Sequence, residues 1–134
     1  MEKIFDKRPT VHKRKNQKAT NITLYRCNLS GRLNIPCGNK IRNKVTIPEW
    51  IKYSEICSIN CLKGLFETDG CFCEDKSNYT CVIEFKNNCK SLLRDTYQML
   101  KNLGYHPQLG KNYVRLARKK EVFKFKDLIT FRSY

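Results

Sequence analysis

The chain has 134 residues, of which 27 are Lys or Arg and 12 are Asp or Glu, so its formal net charge is +15. This length suits one ordinary domain, and no apolar run approaches the roughly 18 residues that a membrane-spanning helix requires. So high a positive charge predicts an acidic partner, and the polar start MEKIFDKRPT lacks the apolar segment of a secretory signal, so we expect an intracellular, cytoplasmic protein.

The first 44 residues are strongly basic. They hold 12 Lys or Arg against Glu2 and Asp6, a balance of +10. Residues 8–18 and the alternating segment 20–27 predict a basic hairpin, followed by a short helix at 29–33. A nucleic-acid-facing arm is favoured over a solvated basic tail or a basic membrane-surface helix. The candidate nucleic-acid contacts in this arm are His12, Lys13, Arg14, Lys15, Lys18, Thr23 and Tyr25.

Eight cysteines are many for this length. Disulfides are not expected without a secretory signal. The close pairs Cys57–Cys61 and Cys71–Cys73 lack the spacing of common zinc knuckles, and His12 lies far from any of them. Free thiols that pack as small hydrophobes are therefore favoured, with a structural zinc site as the weaker alternative.

The remaining elements follow in chain order. Residues 34–48 contain two prolines and one glycine and predict a loop, with Pro48 starting a short helical turn. Hydrophobic periodicity then predicts helices and strands in the order α-β-β-α-β-β-α. The predicted ranges are helix 54–68, strands 71–77 and 79–86, helix 89–103, strands 105–109 and 112–118, and helix 121–131.

The predicted helix 54–68 is N-capped by Ser54 and places apolar residues at helical spacing. These residues are Ile56, Ile59, Leu62, Leu65 and Phe66. In the predicted strand 79–86, Cys81, Ile83 and Phe85 share one face. In the predicted strand 112–118, Val114 and Leu116 share one face. We expect these faces to form the core.

The end of helix 54–68 carries the chemistry. Glu67 and Asp69 lie where the helix dipole disfavours carboxylates, and a bound divalent cation would offset that cost. Gly64 in the helix interior costs about 1 kcal/mol relative to Ala, which predicts a close approach by another helix.

Segment 62–70 (LKGLFETDG) resembles the signature motif of the LAGLIDADG homing endonucleases. It aligns without a gap. The identical positions are Leu62, Gly64, Leu65, Asp69 and Gly70. The segments 38–40 and 47–51 are also similar to the linker that members carry between repeats.

The resemblance implies an α+β fold, a complete αββαββα LAGLIDADG-type domain at 48–134 whose antiparallel sheet forms a saddle on DNA. A basic partial repeat of hairpin, short helix and linker precedes it at 1–47. Leu62, Gly64, Leu65, Glu67 and Gly70 would then serve packing between two motif helices and support the helix end.

The implied activity is site-specific hydrolysis of double-stranded DNA with Mg²⁺ or Mn²⁺ as cofactor. Asp69 and the backbone carbonyl of Thr68 would hold the metal ion. A lysine near the linker would assist the attacking water, with Lys40 as first choice and Lys44 as second.

Strand alternation nominates the face that reads the DNA. Counted from Asp69, the residues on the metal's side are Cys71, Cys73, Asp75 and Ser77. Further candidate DNA contacts are Lys86, Lys111 and Arg115.

The chain contains one motif, whereas cleavage of both strands needs two motif helices. We therefore expect a homodimer, or a missing N-terminal half that completes a longer two-repeat enzyme. The alternative function is a non-cleaving DNA- or RNA-binding remnant, as in maturase-like members. Family members are associated with introns or inteins. Because the chain ends in FRSY and lacks an N-terminal Cys or Ser nucleophile, we expect any relation to inteins to be through the endonuclease part alone.

Overall fold

The computed structural model describes residues 8–13, 20–23, 29–32 and 37–131, and the chain divides into two compact units, Met1–Ile35 and Pro36–Tyr134. In the first unit, strands β1 (Thr10–Lys13) and β2 (Thr20–Thr23) pair antiparallel, and helix α1 covers Leu29–Arg32. The predicted basic hairpin is therefore present. The predicted domain boundary between residues 47 and 48 stays a prediction.

The second unit contains the predicted α-β-β-α-β-β-α order, preceded by a short helix. Its elements are α2 (Glu49–Tyr53), α3 (Glu55–Asp69), β3 (Gly70–Asp75), β4 (Thr80–Lys86), α4 (Lys90–Asn102), β5 (Gln108–Leu109), β6 (Tyr113–Leu116) and α5 (Lys119–Leu128). The strands form one antiparallel sheet in the order β3-β4-β6-β5. This is the predicted α+β fold.

One face of this sheet is buried under the helices. Strand β4 alternates strictly, so Cys81, Ile83 and Phe85 point into the core while their neighbours do not. Phe66 of α3 packs against Phe85 and Phe125 with ring centroids 5.8 and 5.0 Å apart. The predicted inward residues of β4 and β6 are confirmed as core.

Helix α3 begins as predicted, because the Ser54 hydroxyl accepts a hydrogen bond from the Cys57 N–H at 3.4 Å. The predicted inward face is wrong in part. Ile56 is 73% exposed, and the buried line runs through Ser58, Leu62 and Phe66. These three positions are four apart, so one narrow stripe of α3 is buried, and Cys61 and Leu65 beside it pack partly against the core.

Several predicted boundaries differ from the observed ones. Strand β3 ends at Asp75, so Ser77 lies in the following turn and not in a strand. The second hairpin is much shorter than predicted, because Tyr105 leaves the sheet edge and is buried against Phe125. Helix α5 begins at Lys119 and ends at Leu128 instead of covering 121–131. Within the described ranges, no helix has both the length and the apolar composition for crossing a bilayer.

Candidate active site

The site begins at the sharp junction between α3 and β3. Asp69 is the last residue of the helix and is exposed, and Gly70 starts the strand immediately. The Gly70 N–H still donates to the Phe66 carbonyl oxygen. A Cβ atom at Gly70 would lie 2.3 Å from that oxygen, so only glycine permits this tight exit. The junction therefore fixes the Asp69 carboxylate at the end of the sheet.

Asp69 opens into a pocket of about 630 Å³. Two lysines line the same pocket, Lys40 from the loop before α2 and Lys86 from the end of β4. The other lining residues are Gly38, Asn39, Ile41, Asn87 and Asn88. The pocket thus combines one carboxylate with two cationic side chains and several amides, a composition suited to a phosphate group and a cation.

Lys40 is held by a compact loop at residues 37–47. Gly38 adopts φ +98°, and the Asn39 side-chain oxygen accepts the N–H groups of Ile41 and Arg42 at 2.9 and 3.2 Å. In this Asx-type turn the Asn39 side chain accepts backbone N–H groups that have no partner in a helix or strand. Lys44, the second-choice lysine, has φ +44° and is exposed, and it is not among the residues that line the pocket.

The end of this loop is tied to the core by Asp95. The Ile47 N–H donates to one Asp95 oxygen at 2.7 Å, and the Lys52 ammonium contacts the other at 3.3 Å. The hydrogen bond with Glu49, opposed by burial and supported by Asp95, raises the pKa of Lys52. Loop, α2 and α4 are therefore joined at one half-buried carboxylate.

Lys86 reaches the pocket through the strand register. Gly70 pairs with Phe85 at the end of the ladder, so Asp69, which precedes Gly70, and Lys86, which follows Phe85, lie at the same end of the two strands and line one pocket. Its ammonium lies 3.1 Å from a Glu84 oxygen. This hydrogen bond raises the pKa of Lys86, so the side chain is a positive charge and not a proton acceptor at neutral pH.

The solvent face of the sheet carries the predicted reading residues. Cys71 and Cys73 are exposed on β3, and the register places Arg115 of β6 on the same face through Glu84. The Arg115 guanidinium donates to the Gln108 side-chain oxygen at 2.8 Å. Partial burial, together with the Cys73 thiol, raises the pKa of Cys71, so the Cys71 side chain is a neutral thiol at neutral pH.

Asp75 and Ser77 build a turn. One Asp75 oxygen accepts the Ser77 N–H at 2.9 Å and the Ser77 hydroxyl, and the other accepts the Asn78 side-chain amide at 2.7 Å. Hydrogen bonds from the Ser77 and Asn78 side chains and backbone lower the pKa of Asp75 to about 2. Asp75 thus stabilises the β3–β4 turn, while its predicted DNA contact stays a prediction.

The motif residues have two different roles within α3. Leu62 is fully buried and Leu65 packs partly against the core. Gly64 is exposed, and a Cβ atom there would meet nothing within 4 Å. The close approach predicted at Gly64 is therefore not made within the described chain. Glu67 is half-buried, and the Thr68 hydroxyl donates to the Gly64 and Leu65 carbonyls at 3.0 and 3.1 Å.

The predicted contacts of the basic arm are only partly within the described residues. His12 and Lys13 are exposed on β1, and Thr23 is half-buried on β2. Lys111 is exposed in the turn between β5 and β6, in the second unit. The remaining predicted contacts, Arg14, Lys15, Lys18 and Tyr25, lie outside the described residues.

The residues at the α3 end fit part of a divalent-cation site. Asp69 supplies an exposed carboxylate, the ligand type that Mg²⁺ prefers. Within the described ranges, no group of three or more His, Cys, Asp or Glu side chains is placed to hold a metal ion. A divalent cation at this helix end would therefore take further oxygen ligands besides the Asp69 carboxylate.

The sequence did not point to Asn39, Asn87 and Asn88 as part of this pocket. A Gly-Asn pair is a turn signal, and it could have indicated the tight loop at residue 39. Asn87 and Asn88 follow a strand without a recognisable pattern, and they join the pocket because β4 ends beside the start of β3, next to Asp69.

The sequence model of the LAGLIDADG-like domain family matches residues 57–133, which run from the first turn of α3 past the end of α5. No curated protein and no solved structure matches the chain significantly. Members of the LAGLIDADG family bind DNA and work as dimers or pseudo-dimers. The family match covers more than half of the chain and includes the helix end, the sheet and the side of the pocket formed by Asp69 and Lys86, and the protein therefore belongs to the LAGLIDADG family.

Proposed function

We propose that this protein is a site-specific, divalent-metal-dependent endonuclease of the homing type that hydrolyses phosphodiester bonds in double-stranded DNA. One observation carries the proposal: Asp69, at the end of the motif helix, shares a pocket with Lys40 and Lys86. A carboxylate beside two cations suits a phosphodiester, because the lysines attract the phosphate while the carboxylate offers a cation ligand.

Asp69 and the backbone carbonyl of Thr68 would hold a Mg²⁺ or Mn²⁺ ion at the helix end. When bound, such an ion supplies a nucleophilic water at neutral pH and stabilises the leaving oxygen. The Thr68 hydroxyl already donates to two carbonyls of its own helix, so the backbone carbonyl is its available ligand.

The two lysines divide the remaining work. The hydrogen bond with Glu84 raises the pKa of Lys86, so Lys86 is positively charged and would bind the scissile phosphate. Lys40 approaches from the loop side of the pocket and would orient the attacking water. Lys44 lines no part of this pocket, which favours Lys40 of the two predicted candidates.

A second motif helix would complete the site. The outer face of α3 presents Ile56, Asn60 and Gly64 to solvent, and Gly64 leaves open space for a neighbouring backbone. Two such faces in contact would bring two Asp69 carboxylates together over the two scissile phosphates. We propose a homodimer partner or a separate N-terminal half as the source of this helix.

The solvent face of the sheet would bind the major groove. Arg115 is ordered by its hydrogen bond to Gln108 and stacks 5.2 Å from the Tyr113 ring centre. Its remaining guanidinium N–H groups would donate hydrogen bonds to a base edge, and guanine is the base that arginine contacts most often. Cys71 and Cys73 would contact bases nearer the cleavage position.

The test compares Asp69→Asn with the wild type in Mg²⁺-dependent cleavage of a library of duplex DNA targets. We expect Asp69→Asn to lower the cleavage rate by about 100-fold or more, which is the usual effect of removing one catalytic group. DNA affinity should change less than about threefold. Asp127→Asn is the matched control, because it removes an exposed carboxylate from α5, outside the pocket.

Cleavage that survives Asp69→Asn would contradict this mechanism. A wild-type chain that binds DNA tightly but cleaves no target, alone or with a second motif helix supplied, would support the binding remnant instead. Both functions share salt-sensitive DNA binding, so binding by itself does not separate them.

A further inference from the structure

Lys40 lies on a loop that pairs with no strand, so its position depends on what anchors the loop. The outer turn is closed internally, with the Asn43 amide donating to the Cys37 carbonyl at 2.6 Å and its N–H to the Asn39 carbonyl at 3.0 Å. These bonds shape the turn but do not fix it against Asp69. Besides the bond from the Ile47 N–H to Asp95, the contacts that fix the loop come from the start of α4.

Two side chains at the start of α4 hold the base of the loop. The Ser91 hydroxyl donates to the Val45 carbonyl at 2.8 Å. The Cys89 thiol lies 3.5 Å from the same carbonyl and 3.6 Å from the carbonyl of Lys40 itself. Because the Val45 N–H also donates to the Lys40 carbonyl, the catalytic candidate is held at its own backbone.

Cys89, one of these two anchoring residues, is buried and its backbone is itself hydrogen-bonded. Cys89 is 2% exposed, and its N–H donates to the Asn87 side-chain oxygen at 2.9 Å. The Asn87 N–H in turn donates to the Asn112 carbonyl at 3.0 Å. Residues 86–88 therefore form one wall of the pocket, and residues 89–91, which follow directly, anchor the loop that forms the opposite wall.

We propose that Ser91 and Cys89 are positioning residues that set Lys40 against Asp69, and that they govern the rate of the cleavage step more than the affinity for DNA. This inference rests on the proposed function, because it assigns Lys40 a part in cleavage. Neither residue lines the pocket, so each acts only through the loop backbone. Small displacements of a group that orients the reactants lower the rate steeply, while binding is shared among many contacts.

The kinetic test uses the full chain with a cleaved duplex and any required second motif helix. We expect Ser91→Ala to lower kcat about 10-fold, the equivalent of about 1.4 kcal/mol, with KM within about twofold. Ser91→Thr keeps the hydroxyl and should restore most of the rate. Cys89→Ala should act in the same direction as Ser91→Ala.

Ser58→Ala is the matched control. The Ser58 hydroxyl donates to the Ile51 carbonyl at 2.9 Å, so this variant also loses a serine bond to a preceding backbone, but at a position outside the loop 37–47 and outside the pocket lining. A purely structural role predicts that Ser58→Ala and Ser91→Ala lose stability alike and keep kcat alike. The positioning role predicts a loss of kcat in Ser91→Ala alone.

Limited trypsin digestion gives a second measurement that needs no catalysis. Lys40, Arg42 and Lys44 are exposed in the loop, and a released loop should be cut several-fold faster in Ser91→Ala than in the wild type or Ser58→Ala. An active wild type whose Ser91→Ala variant keeps both kcat and the digestion rate overturns this inference alone. A wild type that cleaves no DNA overturns the proposed function and, with it, the role assigned to Lys40.

Discussion

Glu121 joins α5 to the segment that follows α4. Its carboxylate accepts the His106 N–H at 2.9 Å, contacts the His106 ring at 2.7 Å and lies 3.2 Å from the Arg118 guanidinium. Burial by itself raises the pKa of Glu121, but these three partners outweigh it and lower the pKa below its ordinary value. The contribution to stability is therefore present above the unfolded pKa of about 4.5 and is lost as the pH falls through the folded value.

We predict that Glu121→Gln lowers the free energy of unfolding by about 1 kcal/mol at pH 7, since it removes charge-assisted hydrogen bonds at a partly exposed site. The difference between variant and wild type should shrink as the pH falls from 5 to 3. Urea denaturation across this range measures it. A difference that stays constant with pH would show that Glu121 is not ionised differently in the folded and unfolded states.

The motif contains two glycines with opposite requirements, Gly64 within α3 and Gly70 at the start of β3. Gly64 faces open space in a helix interior, whereas Gly70 is packed against the Phe66 carbonyl. We predict that Gly64→Ala stabilises the isolated chain by about 0.5–1 kcal/mol, because alanine is the better helix former. Gly70→Ala should destabilise it by about 1–3 kcal/mol, because the backbone must shift to admit the Cβ atom.

Chemical denaturation of the two alanine variants provides the measurement, and light scattering supplies its complement. If a second motif helix packs on Gly64, a bulky Gly64→Leu should reduce association while leaving the monomer folded. A Gly64→Ala variant less stable than the wild type under monomeric conditions would mean that the α3 face is already covered within the chain.

The molecule as a whole carries +15, and this charge should make DNA binding strongly dependent on salt. We predict that affinity for duplex DNA falls on the order of 10³-fold or more between 50 and 200 mM salt, as counterions released from the phosphates become costlier to release. Fluorescence anisotropy with a labelled duplex measures the slope of log affinity against log salt.

The location of the binding face follows from two lysine variants. Lys86→Gln, on the pocket side of the sheet, should reduce the salt slope by about 1. Lys101→Gln is the matched control, because Lys101 lies on the outer side of α4 against the Tyr97 ring. Equal effects of the two variants would indicate diffuse attraction by the net charge, not binding through the sheet.

Elements with a strong local pattern could be predicted from the sequence. The alternation of β4 predicted Cys81, Ile83 and Phe85 as core, and the helical spacing in α4 predicted Leu92 and Leu93. The prediction failed where the pattern was ambiguous. Helix α3 is apolar on more than one face, and its periodicity could not show that Ile56 is exposed while Ser58 is buried and bonded to Ile51.

The sequence by itself determined the α-β-β-α-β-β-α order and the motif that places Asp69 at a helix end, because periodicity and the Asp-Gly exit act locally along the chain. Only the tertiary structure decided which lysines share a pocket with that carboxylate. Lys86 arrives through the β3–β4 register, and Lys40 through a loop anchored at Cys89 and Ser91, more than 40 residues further along the chain. Contacts between such distant residues depend on packing and leave no periodic signal in the sequence.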